Sequence, residues 1–329
     1  MCCLLCGLIA AGIICYNSVR LYSTISLRFD TPISGQAAYA ARQYSIAHIE
    51  DNAFWPTFWT ERRASFESGF ISAYADCIAF SGDVSLVHPA TFVFGTAPGV
   101  VDGNGCAVSE ALAWRLWGNT DVVGMTVEVD GTERLVRGVF KGKEDLAMIA
   151  YRDEDTSASW TSVELTGGSE NAGRDDAARY ASASGLGKPT FILTGSLTFL
   201  AGVMAVMPLL MLSCFGFCLL VRFARKRYPA AWLYILFPVL IAFAVLLPAM
   251  LGKLPGWLIP TRWSDFSFWG SLLKQASAGL REFLRVAPQS RDVELRLLLI
   301  KQAGIMFIAV CLSITACFRF TRNINCCGV

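Results

Sequence analysis

The side chains that usually carry out catalysis are sparse in this chain of 329 residues. It has only two histidines, His48 and His88, which is little material for a hydrolytic triad or a histidine-rich metal site. The sequence contains no Walker A motif, no zinc-protease motif and no nucleophile elbow. We therefore predict a protein that is not an enzyme and that needs no cofactor.

Acidic and cysteine residues give equally weak signals for a metal or redox site. The runs 153–155 and 175–176 could hold a hard cation, but solvated loops are the interpretation we favour. Most of the twelve cysteines stand in or beside apolar segments, where cysteine behaves as a small hydrophobic residue. Cys77 and Cys106 lie in the polar stretch and could pair in an oxidising compartment. Two buried thiols are the interpretation we prefer.

Four apolar segments frame one long polar stretch. Segments of this kind must lie in lipid or be deeply buried, and the whole chain is 54% hydrophobic with a mean hydropathy of +0.47, too apolar for one soluble domain. A net charge of +2 without a basic stripe argues against a nucleic-acid partner. The almost uncharged segments are residues 2–15, 191–221, 230–251 and 303–317.

A membrane protein with four transmembrane α-helices follows from this layout, with a mixed α/β extracytoplasmic domain inserted between helices 1 and 2. The first helix lacks a basic flank and a cleavage site, so we expect an uncleaved anchor. The predicted parts are 1–29 (helix 1 and a helical stalk), 30–188 (extracytoplasmic domain), 189–223 (helix 2), 229–251 (helix 3), 252–300 (extracytoplasmic loop) and 301–321 (helix 4).

The orientation follows from a basic loop between the second and third apolar segments. Arg222, Arg225, Lys226 and Arg227 stand there without an anion, and such short basic loops are held on the cytoplasmic side. Both termini are then cytoplasmic, in a multi-pass protein of the plasma or inner membrane. The loop 252–300 disagrees with seven cations against four anions, but its length and mixed charge give it less weight.

The polar stretch predicts both strands and helices. The clearest pattern is a hairpin over 124–140, where apolar and polar residues alternate around Asp130-Gly131. Ser109 is the predicted N-cap of a helix that contains Leu112 and Leu116. Further strands are predicted at 44–49, 77–80, 106–108 and 160–165, a strand that ends in a turn at 92–99, and further helices at 60–75 and 169–183.

Residues 268–285 form the clearest amphipathic helix pattern, and Pro288 ends it. We favour a helix that lies in the membrane interface. Packing on the extracytoplasmic domain or its stalks is the alternative. The apolar face consists of Trp269, Leu272, Leu273, Ala276, Leu280, Phe283 and Leu284.

Residues 106–118, 123–127, 130–131 and 136–140 carry a resemblance to a known family. A strand leads into Ser109-Glu-Ala-Leu-Ala-Trp-Arg-Leu-Trp-Gly118, a Gly-x-x-Val turn follows, and a Val-x-Gly-Val strand comes next. This order resembles the MacB-like periplasmic core domain of FtsX-like ABC transporter permeases. The sequence-specific similarity covers roughly residues 90–140, and the order of the apolar segments extends it to the whole chain. The matching residues are turns, a helix cap and core positions.

The resemblance implies a permease-like subunit of the mechanotransmission type, whose partners are a separate cytoplasmic ABC ATPase, a second permease chain in a homodimer or heterodimer, and membrane lipid. Arg222, Arg225, Lys226 and Arg227 are then the candidate ATPase contacts. The chain departs from the family because only residues 222–228 fill the place of the coupling helix, and because loop 252–300 is longer. A membrane-anchored extracytoplasmic binding or sensory protein without ATPase coupling is the alternative.

Overall fold

The computed structural model describes residues 2–194 except 23, 52, 100, 101 and 169–172, then residues 288–326, and isolated helical positions between 197 and 285. The chain divides into two compact units. Leu21–Gly195 and Gly279–Glu294 form the first unit, which we call the sheet domain. Met1–Arg20, Ser196–Ala278 and Leu295–Val329 form the second, which we call the helical unit because its described residues are helical.

The sheet domain is built on one sheet that has ten strands among the described residues. The order is β10-β1-β9-β2-β3-β8-β5-β7-β4, and β6 pairs with β2 and β7. Pairing is antiparallel except between β3 and β8 and between β5 and β7. The strands are β1 Ile25–Ser34, β2 Phe54–Ser68, β3 Ile71–Ser81, β4 Phe92–Gly95, β5 Gly105–Ser109, β6 Thr126–Val129, β7 Thr132–Phe140, β8 Leu146–Ala150, β9 Ser159–Gly167 and β10 Phe191–Leu193.

Among the described residues between 21 and 194, three α-helices accompany the sheet, so the domain combines helices with strands as predicted. They are α2 Gly35–Ala47, α3 Glu110–Trp117 and α4 Arg174–Ala183. Helix α3 begins as predicted, because the Ser109 hydroxyl accepts a hydrogen bond from the Leu112 amide at 3.2 Å. It ends at Gly118, whose left-handed backbone (φ +64°) suits a residue without a side chain.

The predicted hairpin is present between β6 and β7. Asp130 (φ +48°) and Gly131 (φ +80°) form its two-residue turn, and both positive φ values are those a turn of this kind requires. The predicted strands at 77–80, 106–108 and 160–165 fall within β3, β5 and β9, and β4 forms the first half of the predicted strand and turn at 92–99. The polar helix is α4, which starts at Arg174.

Two predictions for the domain were wrong. Residues 44–49 do not form a strand, because α2 runs to Ala47, capped at its start by the Ser34 hydroxyl. Residues 60–75 do not form a helix, because β2 and β3 pair there as a long hairpin that turns at Gly69 (φ +62°). The four-residue spacing of Phe66 and Phe70 is typical of a helix, but Phe66 faces the core from a strand and Phe70 is fully exposed at the turn.

The predicted stalk was also wrong. Helix α1 (Cys2–Arg20) ends before residues 25–34, which form β1. Pro32 lies where the pairing of β1 with β9 changes register, and proline is tolerated in a sheet at such irregular points. The segment 191–221 likewise begins as strand β10 rather than as a helix, and its described positions from residue 197 onward are helical.

The helical unit contains most of α5, which runs over Ser290–Cys326 and so begins before the predicted residue 301. Within the described residues, Ser290–Thr315 is the one helix long and apolar enough to cross a membrane, and Cys6–Val19 is a shorter apolar helix. The segment 230–251 lies almost entirely outside the described residues.

Candidate functional site

Strand β1 is where three parts of the chain come together in the sheet domain. It follows α1 after a short connection, and it pairs with β10, the strand that opens the second apolar segment, 191–221. On its other side it pairs with β9. The first turn of α5, Ser290–Glu294, belongs to the same compact unit. Both the ends of the inserted domain and the start of α5 therefore lie around β1.

Glu164 of β9 is the fully buried centre of a charge cluster at this place. Its Oε1 accepts hydrogen bonds from Ser26 Oγ at 2.6 Å and from Trp59 Nε1 at 3.0 Å. Its Oε2 accepts one from Thr24 Oγ1 at 2.9 Å. A buried carboxylate is costly unless it is paired and hydrogen-bonded, and these donors meet part of that requirement.

Arg28 of β1 supplies part of the balancing charge. Its Nη1 lies 3.0 Å from Glu164 Oε1, and its Nη2 lies 3.0 Å from Asp292 Oδ1 in α5. The guanidinium also stands over the Trp59 ring, 4.8 Å from its centroid. Burial would lower the pKa of Arg28, but Glu164 and Asp292 raise that pKa above its usual value. Arg28 is therefore held as a cation that joins β9 to α5.

Arg291 of α5 approaches Glu164 from the other side. Its Nη2 lies 3.2 Å from Glu164 Oε2 and donates to Thr24 Oγ1 at 2.7 Å. Its Nε donates to the Leu86 carbonyl at 3.0 Å. The Arg291 side chain is fully buried, and its Nη1 has no hydrogen-bond partner among the described residues. Arg28, Arg291, Glu164 and Asp292 together form a buried group with no net charge.

Tyr22, His88 and Glu294 lie around this group. Tyr22 donates to Glu294 Oε2 at 2.5 Å, and its ring lies 5.3 Å from the Arg291 guanidinium carbon. Burial and then the hydrogen bond to Glu294 raise the pKa of Tyr22. His88 Nδ1 lies 3.7 Å from Glu294 Oε1. Glu294 remains 42% exposed, so this edge of the cluster faces solvent.

Further hydrogen bonds attach Gln289 and Ser290, at the start of α5, to the sheet. The Gln289 side chain accepts from Ser162 Oγ at 2.9 Å and donates to Thr161 Oγ1 at 3.4 Å, both in β9. The Ser290 amide donates to Glu61 Oε2 in β2 at 2.8 Å. The first turn of α5 is therefore hydrogen-bonded or ion-paired to β1, β2 and β9.

The amphipathic segment also contacts the sheet domain. Phe283 is 2% exposed and stacks on Phe191 of β10, with ring centroids 6.5 Å apart. Leu280 and Leu284 on the same predicted face are exposed. Phe283 thus supports packing on the domain, the alternative to a helix in the membrane interface.

The site residues predicted from the sequence lie elsewhere. Arg222, Arg225, Lys226 and Arg227 fall outside the described residues. The buried cluster was missed, although Glu164 is the one charged residue of β9 and Arg28 stands between the apolar residues Leu27 and Phe29 of β1. Charged residues are almost never fully buried unless they are paired, and that pattern was the available signal.

The other candidates for chemistry have structural partners. Among the described residues, no group of His, Cys, Asp and Glu is arranged to hold a metal ion. Asp153 pairs with the buried Arg42, and Asp176 accepts from the Gly173 amide at the start of α4. Cys77 and Cys106 are buried free thiols.

Strand β8 separates those two cysteines, because it pairs with β3 on one side and with β5 on the other. Two strand spacings amount to about 9.6 Å, which exceeds the Cα separation of about 7 Å that a disulfide can bridge. Two buried thiols, the interpretation preferred from the sequence, are what the structure contains.

No family model matches the chain, and no curated protein gives a significant match. Solved structures do match, at 13% identity in each of three cases. One is the extracellular domain of the noncanonic ABC-type transporter YknZ from Gram-positive bacteria, with a TM-score of 0.36 over 49% of this chain and 88% of that one. Another is a domain assigned to a permease protein from Porphyromonas gingivalis, with a TM-score of 0.33 over 49% and 81%.

The periplasmic region of MacB from Actinobacillus actinomycetemcomitans also matches, with a TM-score of 0.42 over 54% of this chain and 92% of that one. MacB is the protein after which the domain in the sequence resemblance is named. This chain is similar to each of these three domains over about half of its own length.

Proposed function

We propose that this chain is a permease-like subunit of an ABC transporter of the mechanotransmission type. It has four transmembrane helices, both termini in the cytoplasm and the sheet domain outside the membrane. It works as a dimer with itself or a second permease, and a separate cytoplasmic ATPase supplies the energy. The chain itself is not catalytic.

The attachment of α5 to the sheet domain is the observation that carries this proposal. The domain is joined covalently to α1 through β1 and to the second apolar segment through β10. Its ion pairs with Asp292 and Arg291 add a third connection, to α5. A domain that is joined to three apolar segments at one place suits a protein that converts helix movement into domain movement.

The basic loop is the proposed ATPase contact. Arg222, Arg225, Lys226 and Arg227 form the main connection that we place on the cytoplasmic side between two spans. A cytoplasmic partner that moves the spans needs such a contact. The same cations could instead only fix the orientation and contact phospholipid headgroups, so the experiment must separate the two roles.

Co-purification tests the ATPase partnership. Arg225→Ala, Lys226→Ala and Arg227→Ala are combined in one variant, and Arg319→Ala with Arg322→Ala is the matched control beyond the last apolar segment. We expect the triple variant, but not the control, to lose the ATPase from a pull-down out of native membranes. A membrane-impermeant thiol reagent checks insertion, because it should reach a cysteine placed at Ser182 and not one at Ala224.

Each outcome has a definite meaning. A correctly inserted triple variant that retains the ATPase would leave the basic loop as an orientation signal alone. Wild-type protein that recovers no ATPase would favour the anchored binding or sensory protein. Labelling at Ala224 but not at Ser182 would reverse the topology and remove the basis of the proposal.

A further inference from the structure

We propose that residues Gln289–Glu294 are a releasable latch, which holds the start of α5 to the sheet domain when its ion pairs with Arg28 and Glu164 are closed. When the latch opens, the Leu21–Gly195 part of the sheet domain keeps its two covalent connections, through β1 and β10, and loses the third. This inference concerns a conformational device within the chain, and it stands whether or not an ATPase binds.

The latch is held to β1 and β9 by noncovalent contacts. The segment lies far from β1 and β9 in the sequence, so only packing, hydrogen bonds and ion pairs attach it to them. The two other connections of the domain to apolar segments run through the chain itself, at the start of β1 and the end of β10. The latch is the connection that can open without unfolding a strand.

The buried ion pairs of the latch are either fully formed or fully broken. Four charges are buried, and each depends on the others for its balance. A buried ion that loses its partner is strongly destabilising until water reaches it. Partial separation is therefore unfavourable, and the arrangement favours two discrete states, one with Asp292 on Arg28 and one with the segment in solvent.

The latch can begin to open at its solvent-exposed end, at Glu294. Glu294 is 42% exposed, and its contacts with Tyr22 and His88 lie at the solvent side of the cluster. The Arg291 Nη1 atom already lacks a partner among the described residues, so this cation is held less completely than Arg28. Release from the Glu294 end lets water reach Arg291 before the innermost pair separates.

The latch is separable from the hydrophobic core that α3 forms with strands β5, β7 and β8. The cluster that α3 forms with strands β5, β7 and β8 contains none of the side chains around Glu164, and it includes Cys106, Val108 and Leu112. Trp59, which contacts Arg28 and Glu164, belongs to a separate hydrophobic cluster. Opening the latch should therefore leave that part of the sheet intact.

Hydrogen–deuterium exchange on the full-length protein in lipid nanodiscs tests the latch. Asp292→Asn removes one charge of the cluster. We expect exchange about 100-fold faster, or more, in peptides covering 289–294 and the adjoining parts of β1 and β9, from the penalty of breaking a buried pair. Peptides from β5 and β8 should keep their wild-type rates. Asp145→Asn, in the exposed pair with Arg115, is the matched control and should change nothing in these regions.

A second variant weakens the latch with less risk of unfolding the protein. Gln289→Ala removes two neutral hydrogen bonds to β9 and leaves no buried charge unpaired. We expect about tenfold faster exchange, limited to 289–294 and β9. If both variants accelerate exchange evenly through the whole sheet, the segment is ordinary core and there is no latch. If neither variant changes exchange at 289–294, the ion pairs do not hold it.

Discussion

Arg28 Nη2 lies 3.0 Å from Asp292 Oδ1, although 264 positions separate the two residues in the sequence. Arg28 stands near the start of the sheet domain, and Asp292 stands in the first turn of the last helix. The same guanidinium holds Glu164 of β9. Arg28 thus joins its own strand β1 to the neighbouring strand β9 and to the first turn of α5.

A double-mutant cycle on this pair should show strong coupling. Arg28→Met leaves Asp292 without its cation, and Asp292→Leu leaves Arg28 with Glu164 alone. We expect each single variant to lower the free energy of unfolding by about 3–5 kcal/mol, and the double variant to lose clearly less than the sum. Denaturant unfolding of the purified full-length protein gives these values.

The exposed pair Arg63–Asp76, whose nearest atoms are 3.8 Å apart, is the matched control for the cycle. Its coupling should be near 0–1 kcal/mol, because water screens exposed charges. Additive losses at Arg28 and Asp292 would mean that the two side chains do not act as a pair.

The β6–β7 turn should not accept a β-branched residue. Gly131 has φ +80°, and a Cβ added there would meet only Glu128 Oε1, at 4.0 Å, so the strain lies in the backbone and not in crowding. Gly131→Val should cost roughly 1–3 kcal/mol. Gly99→Val is the control, since Gly99 has open space and no positive φ. Equal melting temperatures for the two variants would contradict the turn geometry.

The Ser109 hydroxyl should be important for the start of α3. It accepts from the Leu112 amide at 3.2 Å and donates to the Glu144 carbonyl at 2.7 Å, in a fully buried position. Ser109→Ala should destabilise the domain by about 1–2 kcal/mol. Ser157→Ala, at an exposed turn, should cost much less. Thermal unfolding of both variants measures the difference, and a harmless Ser109→Ala would mean that water replaces the cap.

Cys77 and Cys106 should not react in the folded protein. Burial raises the pKa of both thiols to about 12, so the reactive thiolate is scarce at neutral pH. We expect an alkylating reagent at pH 8 to modify a cysteine placed at the exposed Ser72 within minutes, and to modify the two native thiols only after denaturation. Mass spectrometry of the peptides gives the result, and rapid native labelling would show that the β5–β8 region opens.

Local patterns predicted the parts of the fold that local chemistry determines. Asp130-Gly131 specifies its own turn, and Ser109 caps its own helix. The failure at 60–75 had a local cause as well, since Gly69-Phe70 makes a two-residue turn with a positive φ at its first position. The aromatic spacing outweighed that glycine in the prediction.

The candidate site could not be predicted in the same way. Arg28 and Glu164 pair with each other, but each has a second ionic partner, and that partner lies in α5. The sequence gives no spacing that connects residue 28 with residue 292. Long-range packing decides such contacts, and it also made β1 a strand where a helical stalk was predicted up to residue 29.

Strands β1 and β10 pair directly, with Leu27 opposite Ile192. Neighbouring strands are about 4.8 Å apart, so the chain leaves the sheet domain almost where it came in. A segment with adjoining ends can be cut out of a gene and its neighbours rejoined with a few residues, or a different domain can be put in its place. The sheet domain therefore has the geometry of an exchangeable cassette, and the contacts of Asp292 and Arg291 are what any replacement would have to recreate.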